Sequence, residues 1–128
     1  MDLRILLSCF LAGAISQTIK ILIAFFHHKK IMLFADGDFP SSHSSLVSAL
    51  AFSVFLIEGL STNFFIVLIL ALIIIKDATG VRYKVGILLK KAKIKSSEGH
   101  TIFQVIAGIS LGIIITLITF LIYRTYWL

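Results

Sequence analysis

The sequence is poor in charge, in proline and in cysteine. Only 14% of its residues are charged while 59% are hydrophobic, and the mean hydropathy is +1.05. A soluble domain carries about a quarter charged residues, so this composition excludes an ordinary soluble protein and predicts an integral membrane protein. The single cysteine, Cys9, cannot form an internal disulfide and says nothing firm about the redox compartment.

Four apolar stretches carry the hydrophobic character. Residues 5–26 and 102–123 are each about as long as the 20 residues that a helix needs to cross a bilayer. The first resembles a signal peptide, but its apolar character continues to residue 26, which favours a retained helix. Shorter runs at 44–60 and 64–75, joined by a polar turn, predict a helical hairpin. We therefore expect one domain, 1–128: an all-α membrane helical bundle with about four transmembrane helices.

Basic residues are concentrated at one end of these predicted spans. Arg4 and Arg124 lie at the other end when the chain has four spans. The basic end holds Lys29, Lys30, Lys76, Arg82, Lys84, Lys90, Lys91, Lys93 and Lys95. The positive-inside rule then places residues 27–43 and 77–100 in the cytoplasm and both termini outside, in an inner or plasma membrane.

Residues 80–95 combine a basic character with a helical apolar period. Val81, Val85, Leu88, Leu89 and Ala92 share one helical face, which predicts a short interfacial helix rather than a solvated basic loop. The net charge of +6 is interpreted as topology plus attraction to anionic lipids. No aromatic-interleaved basic module accompanies it, so we expect no nucleic-acid partner.

Polar residues at membrane depth are costly and mark functional positions. Gln17 and Lys20 lie one helical turn apart in the first span, where Lys20 alone could simply extend to the interface. Ser41 and Ser42, after a proline, are typical of a helix N-cap whose backbone N–H groups favour an anion, and His43 follows at that helix mouth.

Two further segments add titratable and basic groups at the same predicted membrane face. Asp77 and Arg82 flank a glycine turn, and a guanidinium is well shaped for bidentate phosphate contact. His100 begins the last span, and Gln104 follows on the same helical face, where it can fix the imidazole tautomer. Two imidazoles among basic groups suit phosphoryl transfer through a histidine nucleophile without a metal or cofactor.

In this order the motifs resemble the divergent branch of the type 2 phosphatidic acid phosphatase superfamily, which is related to the vanadium-dependent haloperoxidases. Its pattern of Lys-x6-Arg-Pro, Pro-Ser-Gly-His and Ser-Arg-x5-His-x3-Asp is matched by Lys20, Pro40-Ser41-Ser42-His43, Arg82 and His100-x3-Gln104. The divergent branch has middle motifs similar to Pro-Ser-Ser-His-Ser and Asp-Ala-x-Gly-Val-Arg, which occur at residues 40–44 and 77–82.

The resemblance implies a metal-independent lipid phosphatase, with phosphatidylglycerophosphate as a plausible substrate. His100 is then the nucleophile and His43 the general acid, and Gln104 stands where an acid orients the nucleophile. The implied phosphate ligands are Lys20, Ser41, Ser42 and Arg82, with Gln17 and Asp77 as auxiliary residues.

Three departures from the family pattern bear on activity. The Arg-Pro element is absent, leaving Lys29 or Lys30 as substitutes, and a long basic insertion separates Arg82 from His100. Gln104 replaces a carboxylate; in the serine protease triad, a comparable acid-to-amide change costs about 10⁴ in rate. Glu98 or Asp77 would have to supply the missing charge.

The alternatives belong to other functional classes. The chief one is a catalytically weak or silent relative that binds anionic lipid headgroups in the same pocket. A small transporter using Gln17 and Lys20 leaves the two helix-mouth histidines unexplained. A zinc site from His27, His28, His43 and His100 has no ligand-like spacing. Four spans are fewer than the six of larger superfamily members, so a homo-oligomer could supply missing packing.

The predicted topology can be tested with a cysteine introduced at position 95. We expect a membrane-impermeant maleimide to leave it unlabelled in intact cells and to label it after permeabilisation, because the basic segment is predicted to be cytoplasmic. Labelling in intact cells at the rate seen after permeabilisation would reverse the orientation.

Overall fold

The computed structural model describes residues 2–27, 38–94 and 99–127, and these ranges fold into helices without a strand. Lys29, Lys30, His28, Lys95 and Glu98 lie outside the described residues. In chain order the helices are α1 (Leu3–Phe26), α2 (Ser42–Glu58), α3 (Thr62–Thr79), α4 (Val81–Lys91) and α5 (Ile102–Trp127).

The helix lengths confirm a membrane bundle. Three segments within the described ranges are long and apolar enough to cross a bilayer: Leu3–Phe26, Thr62–Lys91, which joins α3 and α4, and Ile102–Thr125. Helix α2 is apolar but has 17 residues. At about 1.5 Å per residue it spans roughly 25 Å, slightly less than the hydrocarbon core of about 30 Å.

Side chains and glycines set the helix ends. Asp2 caps α1 by accepting the Arg4 backbone N–H at 3.0 Å, and Ser61 caps α3 by accepting the Phe64 N–H at 3.1 Å. The predicted hairpin turn is present, with α2 ending at Glu58 and Gly59 at φ 65°. Such caps satisfy backbone groups that have no partner within their own helix.

Arg4 ties the start of α1 to the end of α5. Its guanidinium pairs with the Asp2 carboxylate at 2.6 Å and lies over the rings of Phe120 and Tyr123, 4.9 and 5.6 Å from their centres. The hydrogen bond from the Arg4 side chain lowers the pKa of Asp2. This ion pair therefore contributes to the stability of the fold at pH values above the ordinary carboxyl pKa. The contribution is lost as the pH falls through the lowered pKa of Asp2.

Helix α2 is the centre of the bundle and packs against α1, α3 and α5. Small residues dominate the core, where Ala12 and Ala49 are buried together with the larger Ile115. Hydroxyl groups join the helices: Ser45 Oγ donates to the Ala12 carbonyl at 3.2 Å, and Ser48 Oγ to the Ile109 carbonyl at 3.3 Å. Small residues and interhelical hydrogen bonds are how helices associate in lipid, where burial of apolar side chains gives little driving force.

Two glycines of α5 allow its closest approach to α2. A Cβ at Gly108 would overlap the Ser41 carbonyl, and one at Gly112 would overlap the Ser45 carbonyl and Ser48 Oγ. The backbones of α2 and α5 therefore meet directly, and this contact fixes the first turns of both helices relative to each other.

Helix α4 continues from α3 after Gly80 and makes helix contacts only with α3 within the described chain. Val81, Val85 and Leu88 are exposed on it, together with Lys84, Lys90 and Lys91. The predicted short basic helix is present, shorter at both ends than the 80–95 expected. Its position at the interface stays a prediction.

The α2–α5 contact can be tested by adding one methyl group. Gly112→Ala should lower the thermal midpoint in detergent strongly, because the new Cβ meets a backbone carbonyl of α2 that cannot move alone. Gly13→Ala is the matched control: its Cβ would lie 3.8 Å from Leu46 Cδ1, an ordinary contact. That variant should be neutral or more stable by about 0.5–1 kcal/mol, the helical preference of alanine over glycine. Equal midpoints for the two variants would contradict the packing described.

Candidate functional site

The N-terminus of α2 forms one wall of the candidate site. Ser41 is its N-cap, as predicted: Ser41 Oγ accepts the Ser44 backbone N–H at 3.4 Å and lies 2.9 Å from Ser44 Oγ. Ser41 is fully buried, so its hydroxyl serves the cap. Ser42 is half-buried, and His43 is exposed at this helix mouth.

Gln17 brings α1 to the same mouth. Ser42 Oγ donates to Gln17 Oε1 at 3.2 Å and accepts from Ser16 Oγ, also at 3.2 Å. Lys20 is half-buried and follows Ser16 by four residues, on the same side of α1. The costly polar residues of the first span therefore lie beside the predicted anion-binding mouth of α2.

His100 lies against the end of α3. Its side chain is 2% exposed, and its backbone N–H donates to the Ala78 carbonyl at 3.0 Å. The preceding Gly99 has φ 77° and lies so close to Arg82 and Tyr83 that a Cβ would overlap their backbone. These contacts join the segment carrying His100 to the one carrying Arg82.

Asp77 is the ion-pair partner of Arg82. Arg82 Nε donates to Asp77 Oδ2 at 2.6 Å, with both side chains 41% exposed. An exposed pair of this kind contributes only about 0–1 kcal/mol to stability, so its main effect is to restrict where the guanidinium lies. The family resemblance implies an auxiliary role for Asp77, and its pairing with Arg82 was not predicted.

Gln104 joins the N-terminus of α2 to the N-terminus of α5. Its backbone carbonyl accepts the Ser41 N–H at 3.2 Å. Its side-chain Oε1 accepts the Thr101 backbone N–H at 2.8 Å, while Thr101 Oγ1 accepts the Gln104 backbone N–H at 3.3 Å. This reciprocal arrangement is a capping box, in which a residue three positions into the helix completes the cap. The carboxamide thus holds the first turn after His100.

These contacts bring together segments from all four motif regions. Ser42 contacts Gln17, Ser41 contacts Gln104, and His100 contacts Ala78 beside Arg82. Within residues 2–27, 38–94 and 99–127, no three His, Cys, Asp or Glu side chains are grouped as metal ligands would be. The contacts join the backbone segments that carry His43, His100 and Arg82, and they join α1, which carries Lys20, to the N-terminus of α2.

Comparison with known families finds a match over most of the chain. The model of the Divergent PAP2 family matches residues 1–115. The chain belongs to the Divergent PAP2 family. Every motif position used above falls within the matched region, and the predicted membership of this branch is confirmed.

One curated relative is the uncharacterized membrane protein YuiD of Bacillus subtilis (strain 168). It is 41% identical over 85 residues, which are 63% of this chain and 54% of YuiD. The chain therefore spans about half the length of that relative. No solved structure matches.

Several positioning contacts of this Divergent PAP2 protein were not predicted. Ser16 bonds Ser42, Thr101 forms the capping box with Gln104, and Gly99 packs on Tyr83. The signal for one was present: Thr101-x-x-Gln104 before an apolar run is a capping-box pattern. The contacts of Ser16 and Gly99 depend on tertiary packing and have no local signature.

The role of Gly99 can be tested against a second glycine with positive φ. Alanine at Gly59 or Gly99 costs about 1–3 kcal/mol of backbone strain, but Gly59 has open space around it. Gly99→Ala must in addition push its segment off Arg82 and Tyr83. We expect diethyl pyrocarbonate to modify His100 faster in Gly99→Ala than in Gly59→Ala or the native protein, as read by mass spectrometry. Exposed His43 is the internal standard, and unchanged His100 protection would refute this role.

Proposed function

We propose that this protein is a metal-independent membrane lipid phosphatase that cleaves a phosphomonoester through a phosphohistidine intermediate. The observation that carries the proposal is the pair of backbone hydrogen bonds, Ser41 to Gln104 and His100 to Ala78, that joins the three motif segments. Family membership supports a PAP2-related protein, and the catalytic roles are the proposal.

In the first step a ring nitrogen of His100 attacks phosphorus. The bond from phosphorus to the lipid oxygen breaks, and His43 as imidazolium donates its proton to the departing alkoxide. In the second step neutral His43 accepts a proton from water as that water attacks the phosphohistidine. Inorganic phosphate leaves, and both imidazoles return to their starting states.

The phosphate oxygens are held by positive groups and by backbone N–H groups. Lys20 and Arg82 supply charge from α1 and from the start of α4, and Asp77 restricts the Arg82 guanidinium. The first turn of α2 supplies N–H groups and the positive end of its dipole, next to Ser41 and Ser42. These groups stabilise charge as it develops on the transferring phosphoryl oxygens.

A specific observation favours a second function, binding of an anionic lipid headgroup without turnover. His100 is nearly fully buried, and Gln104 Oε1 accepts a backbone N–H in the capping box. An amide also cannot neutralise a positively charged imidazole. On this reading the pocket retains phosphate affinity but turns over slowly or not at all.

The enzyme proposal is tested by phosphate release from a short-chain phosphatidylglycerophosphate analogue in detergent. His100→Ala should abolish release, and His43→Ala should slow it by about 10²–10⁴, the usual contribution of acid–base catalysis. His27→Ala is the matched control, since His27 is also exposed but lies at the end of α1. Equal rates for native protein and His100→Ala would refute the enzyme. Binding of long-chain phosphatidylglycerophosphate by the native protein would then support the binding function, provided that Arg82→Gln does not bind this lipid.

Gln104→Glu separates the capping role from the catalytic one. Glutamate forms the same capping box, so the thermal midpoint should change little. A carboxylate also stabilises a positively charged His100, so phosphate release should rise by about tenfold or more, within the effect of about 10⁴ known for an acid-to-amide change in a catalytic triad. A Gln104→Glu variant of native stability with an unchanged rate would show that position 104 acts only through the cap.

A further inference from the structure

An apolar groove lies between α2, α3 and α5, on the lipid side of the bundle. Its volume is about 400 Å³, and it is open along one side. It is lined by Ser48, Ala51, Phe52, Phe55, Phe64, Leu68, Ala71, Leu72, Ile75, Ile109 and Ile113. The groove is distinct from the polar site, and nothing in the phosphoryl-transfer mechanism uses it.

The groove begins just below the candidate site. Ile75 precedes Ala78, whose carbonyl accepts the His100 N–H, by three residues. Ser48 follows the helix mouth at Ser42 by six residues, about 9 Å along α2 at 1.5 Å per residue. The site and the groove are therefore consecutive along the same helices.

The far end lies towards the α2–α3 turn. Aromatic rings surround it, with Phe55 and Phe64 centred 5.4 Å apart and Phe52 and Phe55 6.1 Å apart. From Ile75 to Phe64 the groove follows α3 for about 16 Å, roughly half the hydrocarbon thickness of about 30 Å. That length is the depth of one leaflet.

The lining offers no hydrogen-bonding group to a ligand. Ser48 is the polar residue among those that line it, and its single hydroxyl proton is shared between the Ser45 and Ile109 carbonyls at 3.1 and 3.3 Å. At about 30 Å³ for a group the size of water, 400 Å³ holds roughly a dozen such groups. A helix is about 10 Å across, so a partner helix could seat only a row of side chains there.

We propose that this groove holds one acyl chain of the phospholipid whose phosphate occupies the polar site. The inference rests on the proposed function for the headgroup, and continuity between site and groove supplies the chain's direction. The ester end of the chain lies near Ser48, Ile75 and Ile109, and its methyl end lies near Phe55 and Phe64. The protein thus selects a long-chain lipid with a terminal phosphomonoester, anchored in the leaflet that faces the site.

The direct test uses native protein in phosphatidylcholine nanodiscs and a phosphatidic acid with a diazirine near one acyl terminus. After irradiation, mass spectrometry should find the label on Phe55, Phe64 or Leu68. Excess phosphatidic acid should remove most of this label, and excess phosphatidylcholine should not. Ile66, Ile69 and Ile73, exposed on the other face of α3, report ordinary bilayer lipid, because neither competitor should reduce their labelling selectively.

Two results would contradict the proposal that the groove holds an acyl chain. Groove and outer-face residues labelled equally and displaced equally by both lipids would mean that only bulk lipid enters. Absence of groove labelling, with a cysteine at position 68 cross-linking two chains, would assign the groove to a second copy. Neither readout requires turnover, so both hold even where phosphate release fails.

A comparison of kinetic constants for a long-chain and a water-soluble substrate then tests whether the groove contributes to the reaction. Ala71→Leu fills the groove from α3, and Ala14→Leu is the matched control on the exposed face of α1. Ala71→Leu should raise KM for a long-chain lipid phosphate several-fold and leave the kcat/KM of a water-soluble phosphomonoester unchanged. Loss of activity on both substrates would contradict this separation of the chain groove from the polar site. Unchanged long-chain KM with unchanged labelling would refute it.

Discussion

The direct contact between the backbones of α2 and α5 is the constraint on which the rest of the structure depends. Gly108 and Gly112 remove the side chains that would separate the helices, so α5 lies against the Ser41 and Ser45 carbonyls. In lipid, apolar burial gives helices little reason to associate, and close packing with interhelical hydrogen bonds takes its place. Because both helices begin at the same end, the contact that holds the bundle also brings together the mouth of α2 and the segment after His100.

Much of the fold could be predicted because the bilayer restricts the possibilities. Long apolar runs must be helices where water cannot satisfy the backbone, so α1 and α5 were predictable from residues 5–26 and 102–123 almost to their ends. The polar turn at Gly59 was equally clear. What composition could not reveal is which face of each helix turns inwards, because α2 is apolar all round with serines throughout. The pairing of Ser45 with the Ala12 carbonyl depends on three-dimensional packing.

The candidate site was predictable in its members but less so in its connections. Motif order identified Lys20, His43, Arg82 and His100 as a set, since those residue types suit phosphate chemistry. The structure adds how the segments are attached: Gly99 on the α3–α4 junction and Ser41 on the Gln104 carbonyl. Such attachments use backbone atoms, which every residue has, so the sequence carries no distinctive sign of them. The ion pair between Asp77 and Arg82 is an exception, because it joins two side chains. An acid five residues before an arginine is a reasonable ion-pair partner.

In the proposed function, the residue at position 104 affects the affinity for phosphate and the rate of phosphate release in opposite directions. In that function the phosphate lies at the N-terminus of α2, and the neutral carboxamide completes the nearby α5 cap without adding negative charge, so it favours binding of the anion. A carboxylate in the same place would cap equally well and stabilise a positively charged His100, but it would also repel the incoming phosphate. The amide therefore suits a protein that holds its lipid strongly relative to how fast it converts it. An acyl chain held in the proposed groove would act in the same direction, because binding energy realised equally in substrate and transition state lowers KM without raising kcat.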